Sequence, residues 1–179
     1  MQLNDMKNTK VINLFGGAGI GKSTFAANLF GEMKAKGYNV ELAREWVKLW
    51  AYEKRQMTYA DQTIVFGHQV QEETQFYGKV DILITDSPLI LSGFYEKLNY
   101  KTELMLPVAK SIMKEAELKG IYYWNLLLTR LHCYQTEGRW QTEKQAKEQD
   151  KLMAKFLKDN KLTYEKMNTI EDVMIELII

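Results

Sequence analysis

Cysteine is almost missing from this chain. Cys133 stands alone among 179 residues, so no internal disulfide can form and no cysteine cluster is available to hold a metal. No secretory leader is visible either, and the two absences together predict a reducing, cytoplasmic setting with Cys133 as a small apolar residue. Long apolar runs are also lacking: none approaches the roughly 18 residues of a membrane span, which predicts a soluble protein without membrane contact. Excess charge of one sign is absent, because 24 Lys+Arg against 23 Asp+Glu leave a formal +1. That excludes a global basic field of the kind that drives nonspecific nucleic-acid binding, while a local basic groove stays compatible with it. There are no internal repeats, and the length suits one domain over 1–179. The polar, aperiodic stretch 1–9 reads as a frayed lead-in.

What is present begins with an apolar run, Val11 to Phe15, followed at once by Gly16-Gly17-Ala18-Gly19-Ile20-Gly21-Lys22-Ser23. This is the phosphate-loop pattern G-x-x-x-x-G-K-[ST] in strand-loop-helix context. A chain that wraps a β-phosphate must turn its N–H groups inward, and glycines permit those turns. Lys22 then reaches the β/γ oxygens, Ser23 offers a hydroxyl to Mg²⁺, Thr24 is a further candidate phosphate contact, and the dipole of the following helix attracts the anion. A nucleoside triphosphate is therefore the expected ligand.

Periodicity supplies the surrounding elements. Phe25, Ala26, Leu29, Phe30 and Met33 predict a helix from Lys22 to about Lys36, stopped by Gly37 in a left-handed cap. Tyr38 to Ala43 alternates as a strand, and Arg44-Glu45-Trp46 is expected to open a helix with Trp46, Leu49 and Trp50 on one side. A T-x-x-D capping box at Thr58 and Asp61 starts a helix to about Tyr77 that carries Gln62, Phe66, Gln69 and Glu73 on one face. Val80 to Thr85 reads as a strand covered on both faces, ending in Asp86-Ser87-Pro88. Helices are expected over about Leu89 to Leu98 and Thr102 to Leu118, with Pro107 a bend or a start, and Gly120 closes them. Ile121 to Thr129 is the next strand. A capping box at Thr142 and Gln145 starts a helix to about Lys158 with Ala146, Met153, Phe156 and Leu157 as its stripe. A weaker strand over Leu162 to Lys166 and a helix over Glu171 to Ile178 end the pattern. Alternating strands and helices predict an α/β fold with a parallel sheet of about five strands, in which ligands sit at the carboxyl ends of the strands.

Four groups follow strands. Asp86 is placed to hold Mg²⁺ or orient an attacking hydroxyl, or else to cap the next helix through an Asx-turn. Glu45 can take a proton from an acceptor hydroxyl and Arg44 can clamp an anion, or the pair can be a helix-start glutamate beside a solvated arginine. Arg130 and Arg139 flank a polar segment with Gly138 as a hinge. The stretch 130–141 can be a lid that closes both guanidinium groups over a transferring phosphoryl group, or the two can be solvated. Gln62, Gln69 and His68 can read the edge of a base or simply face solvent, and Trp46, Trp50, Phe76 and Tyr77 can stack on a ligand or fill core.

With the phosphate loop, Arg44-Glu45, Asp86-Ser87-Pro88 and the segment from Arg130 to Arg139 in this order, the chain resembles P-loop nucleoside and nucleotide kinases. Within them it looks most like the ribosylnicotinamide-kinase-like ATPase/kinase domains of the NadR type, including phage-encoded relatives. The resemblance covers about Lys10 to Asp159 and is strongest at the loop. It implies a three-layer P-loop NTPase fold with a five-stranded parallel sheet, ATP and Mg²⁺ as cofactors, and a mobile arginine-bearing lid. Carried across, Gly16 to Thr24 would hold phosphates, Ser23 and Asp86 magnesium, Glu45 the acceptor, and Arg130 and Arg139 the transferred group. No family-specific acceptor motif is found. The implied reaction is phosphoryl transfer to a nucleoside, nucleotide or related small molecule. Two alternatives stand beside it: phosphorylation of hydroxymethyl pyrimidines in modified DNA along a track of Arg44, Lys48, Lys54 and Arg55, and an ATPase switch that works through a protein partner. Oligomeric state is left open.

Overall fold

The computed structural model describes residues 7–130 and 134–178. The expectations for most of the lead-in, for His132 and for Cys133 lie outside the described residues. The described residues form twelve elements: β1 (Thr9–Phe15), α1 (Lys22–Ala35), β2 (Val40–Ala43), α2 (Lys48–Tyr52), α3 (Tyr59–Thr74), β3 (Ile82–Thr85), α4 (Ile90–Tyr100), α5 (Met105–Glu117), β4 (Ile121–Leu127), α6 (Glu143–Asp159), β5 (Glu165–Lys166) and α7 (Ile170–Ile178). The five strands form one sheet in the order β2-β3-β1-β4-β5, and every pairing is parallel. The expected α/β class and five-stranded parallel sheet are what the chain forms.

β1 shows why. Ile12 and Leu14 point to one face, where they pack with Ala26, Leu29 and Met33 of α1 and Val173 and Met174 of α7. Phe15 points to the other, against Ile90, Leu91 and Phe94 of α4, Met113 of α5 and Met153, Phe156 and Leu157 of α6. A strand covered twice must be apolar almost throughout, which is the run that the sequence shows. Three layers result, helix on sheet on helix. Asn13 is the polar exception, and its Nδ2 donates 2.8 Å to Oδ1 of Asn125, its register partner on β4. Asn125 in turn donates to the Thr163 carbonyl at 2.9 Å, which brings the chain in toward β5.

Helix ends follow the chain's own chemistry. α1 closes with Gly37 at φ 83°, its N–H on the Lys34 carbonyl and the Tyr38 N–H on that of Met33, a Schellman pattern. α3 and α6 start with the expected reciprocal capping boxes at Thr58/Asp61 and Thr142/Gln145. α5 is capped from a distance: Glu96, fully buried on α4, accepts from the Leu104 and Met105 N–H groups at 2.9 and 2.7 Å. Pro107 lies in the first turn of α5, where its missing N–H costs no helical bond.

Three expectations change. Thr9 is not frayed, for its buried hydroxyl donates 2.6 Å to the Val80 carbonyl and β1 starts with it. No helix opens at Arg44-Glu45-Trp46: the Glu45 N–H donates to Oδ1 of Asp86 at 2.9 Å, and the helix starts only at Lys48. Leu49 consequently faces solvent rather than joining the two tryptophans, with 65% of its surface exposed. The last strand shrinks to Glu165–Lys166.

Candidate functional site

In the order β2-β3-β1-β4-β5 the connections leaving β1 and β3 run to opposite sides, so a crevice opens between their carboxyl ends. The loop from Gly16 to Gly21 lines it. Gly16, Gly19 and Gly21 adopt φ of 150°, 67° and 109°, conformations that strain any side chain. Gly21 caps α1 in the left-handed region without a side-chain partner, and a Cβ built there would meet no atom within 4 Å. The first turn of this fourteen-residue helix has no side-chain cap, and Ser23 and Thr24 stand in it. Ile20 is buried under Gly16. Lys22 folds back so that Nζ donates to the Gly16 and Gly17 carbonyls at 2.9 and 3.3 Å. Burial pulls its pKa down, an effect opposed by the nearby Glu45 and Asp86 carboxylates.

Glu45, Asp86 and Arg139 share this field with Lys22. Asp86, at the end of β3, is 5% exposed and spends Oδ1 on the Glu45 N–H. It does not cap α4, whose start at Leu89 has no side-chain cap, and the nearby Ser87 N–H donates to Oγ1 of Thr85 at 3.2 Å. Burial raises the pKa of Glu45 against the opposing pull of Lys22. Among the described residues no carboxylate bonds Arg139: Nη1 donates to the neighbouring Gly138 carbonyl at 3.2 Å, and Nε is buried without a partner there. An orphaned guanidinium N–H beside a lysine is a feature that an anion would satisfy. Ser23 and Asp86 suit Mg²⁺, which takes one or two protein oxygens and completes its shell with phosphates and water. Among the described residues no cluster of three or more His, Cys, Asp or Glu competes for a metal.

Arg130 lies where β4 ends, yet it is not a solvated lid residue. Its Nε and Nη2 fork onto Asp150 at 2.8 and 3.1 Å, and Nη2 also donates to the Ala18 carbonyl at 2.9 Å. Beyond it the segment Tyr134 to Gln141 runs from the phosphate loop to the end of α2. The Tyr134 ring lies against Gly19 and its hydroxyl donates to the Gln141 carbonyl at 2.6 Å, while Trp140 Nε1 donates 2.9 Å to the Arg55 carbonyl.

Other expected residues divide. Arg44 is exposed. Gln62 and Gln69 are not solvated but 6% and 2% exposed on the inward face of α3, and Gln69 Nε2 has no partner. His68 stacks on Trp46 with centroids 4.0 Å apart and planes 13° from parallel, and Trp46 meets Trp50 edge-on. Phe76 and Tyr77 pack as core under β3 and β4. Arg55 is committed to Asp61 and to the Trp50 face at 3.8 Å, which removes it from a free basic track.

Sequence reasoning passed over Tyr95, Gln149 and Asp150. Tyr95 on α4 shares the field of Glu45, Arg139 and Asp150, and burial raises its pKa. Gln149 interrupts the apolar stripe of α6 and is nonetheless 6% exposed, a signal visible in the pattern. A cavity of about 310 Å³ adjoins the other side of the loop, lined by Thr24, Phe25, Asn28, Thr129, Asn168 and Thr169 among others.

A family model described as an AAA domain matches residues 11–173. Among solved structures, deoxyadenosine kinase from M. mycoides with dCMP and dCDP bound is 17% identical, with a TM-score of 0.59 over 93% of this chain and 98% of that one. NadR protein in complex with NR is 15% identical, with a TM-score of 0.57 over 90% of this chain and 44% of its own, so this chain corresponds to part of that protein. The APS kinase CysC of Mycobacterium tuberculosis with AMPPNP and APS is 12% identical, with a TM-score of 0.50 over 96% of both. No curated protein sequence gives a significant match. The fold is that of the P-loop kinases. No described helix is long and apolar enough to cross a membrane.

Proposed function

The chain belongs to the AAA domain family, and from that premise we propose that it is an ATP-dependent phosphotransferase acting on a nucleoside, nucleotide or related small molecule. The observation that carries this reading is Arg139, whose buried Nε lacks a partner while the residue shares one cleft with Lys22, Glu45 and Asp86. A kinase needs, beyond a phosphate cradle, a carboxylate placed to take the acceptor's proton, and Glu45 lies in the field of Lys22 and Arg139.

On this reading the α1 N-terminus, the loop N–H groups and Lys22 hold the donor phosphates, and the cavity between Thr24 and Thr169 takes the donor nucleoside. Ser23 and Asp86 are the residues that would hold magnesium, which would supply positive charge to offset that on the phosphate oxygens. The acceptor hydroxyl oxygen bonds to the γ-phosphorus as the bond from that phosphorus to the bridging oxygen of ADP breaks. Glu45 receives the hydroxyl proton, and ADP departs with the bridging electrons. Arg139 meets the charge that develops on the transferred group. Gln62, Gln69 and the Trp46–His68 stack line the acceptor side, where planar amides and rings suit a base.

Commitment of Arg55 to Asp61 and Trp50 supports a small acceptor over a DNA strand, since it takes one cation from the four of the track. The test is incubation with MgATP and a panel of nucleosides and nucleotides, read by mass spectrometry for a product heavier by one phosphoryl group. ADP released at the same rate with and without every acceptor would favour the ATPase switch, and product on hydroxymethylated DNA alone would favour the DNA kinase.

A further inference from the structure

The first half of the phosphate loop is bonded from outside itself. The Gly17 N–H donates 2.8 Å to Oδ1 of Asp150, and the Ala18 N–H donates 3.3 Å to Oε1 of Gln149, both on α6. Asp150 simultaneously receives the Nε/Nη2 fork of Arg130, whose Nη2 returns to the Ala18 carbonyl. Gly17 is a glycine for this reason and not for its dihedral angles: a Cβ there would lie 2.5 Å from Asp150 Oδ1 and 2.7 Å from the Ala146 carbonyl. The Arg130 side chain is 11% exposed and that of Asp150 23%, so water screens the pair only partly.

Three of the Arg130 hydrogens are thereby spent. Nη1 is buried, has no partner and lies 3.7 Å from where a Gly19 Cβ would stand, at the edge of the loop. Its direction is set by the fork, because a planar guanidinium gripped at Nε and Nη2 cannot rotate.

We propose that Asp150 is a positioning residue for donor-phosphate binding: it locks α6, the Gly17-Ala18 amides and Arg130 into one unit and so aims Arg130 Nη1 at an oxygen of the bound triphosphate. This rests on reading the cleft as a donor-phosphate site. Asp150 itself touches no phosphate in this scheme and acts through Arg130. Its effect on nucleotide affinity therefore vanishes when Arg130 is absent, whereas a merely structural carboxylate would weaken binding in either background.

The experiment uses the full chain in four forms, wild type, Arg130→Ala, Asp150→Asn and the double variant, with affinity for a nonhydrolysable ATP analogue measured by calorimetry. Asp150→Asn keeps the shape and an acceptor for Gly17 but loses the charge that grips Arg130. We expect each single variant to bind about tenfold more weakly and the double variant no worse than Arg130→Ala within about twofold. A second measurement needs no nucleotide: Asp150→Ala is expected to raise hydrogen exchange of the Gly17 amide at least about tenfold while the β1 amides keep their protection. Full additivity of the two single losses overturns the proposal, and so does unchanged Gly17 exchange in Asp150→Ala. Wild type that binds no ATP analogue would sink the donor-site reading, and with it the role of Arg130, while the exchange result would still report the α6 contact by itself.

Discussion

Asp86 and Glu45 are joined through the backbone: Oδ1 of the aspartate accepts the Glu45 N–H at 2.9 Å across the ends of β3 and β2. One carboxylate of the cleft therefore fixes where the other stands.

Glu45 is the proposed base, so its removal should slow transfer without abolishing nucleotide binding. Glu45→Gln is expected to lower kcat about 10²- to 10⁴-fold with donor affinity kept, measured by steady-state kinetics alongside calorimetry. Because burial raises the Glu45 pKa, the base is lost as pH falls through a midpoint above the usual carboxylate value of about 4.3. The wild-type rate should therefore rise with pH along an acid limb displaced upward, and that limb should be absent from Glu45→Gln.

Arg139 tests the division between stability and function. Its buried Nε is unsatisfied, so Arg139→Ala removes a cost to the fold and should leave Tm unchanged or higher. Transfer should nonetheless fall about 100- to 1000-fold with the lost electrostatic contact to the transition state. A matching fall in Tm would show that Arg139 is structural.

Glu73 makes stability depend on pH. It is fully buried on α3, where burial pushes its pKa up to about 8 despite hydrogen bonds from Tyr77 and Thr85. The folded state therefore holds a proton that the unfolded chain releases near pH 4.5, so stability is fully present below that value and declines up to about pH 8. The slope is at most about 1.4 kcal/mol per pH unit. Glu73→Gln, neutral at every pH, should flatten the dependence in urea titrations and be the more stable form above pH 8.

Glu96 caps α5 from inside the protein. Burial alone would raise its pKa, but hydrogen bonds led by those from the Leu104 and Met105 N–H groups together outweigh burial and hold it below the usual range. Glu96→Ala leaves the buried Met105 donor and the part-buried Leu104 donor unpaired and should cost about 2–4 kcal/mol in denaturant unfolding. Glu96→Gln, which keeps an acceptor oxygen, should cost clearly less.

Local pattern carried much of this molecule. The loop from Gly16 to Ser23 was legible because its chemistry is contained in eight consecutive residues, and the strands were legible because burial on both faces demands runs such as Val11 to Phe15. The capping boxes at Thr58 and Thr142 were equally local. The residues after the strands were readable as a set, since topology alone brings strand ends together. Less legible was how each is spent: Arg130 looked free in sequence but is gripped by Asp150, and Gln62 and Gln69 looked like solvated glutamines but are buried.

The sequence by itself therefore determined the parallel sheet, its phosphate loop and the list of residues at the carboxyl ends of its strands, because hydrophobic period and turn chemistry act over a few residues. Only the tertiary structure decided the partners. That Asp150 bonds Gly17 across 133 positions, that Asp86 bonds Glu45 across 41, and that Arg139 is left with an unpaired donor are outcomes of how helices pack on the sheet. Such pairings have no periodic trace, since a hydrogen bond between distant segments depends on their approach in space and not on spacing along the chain.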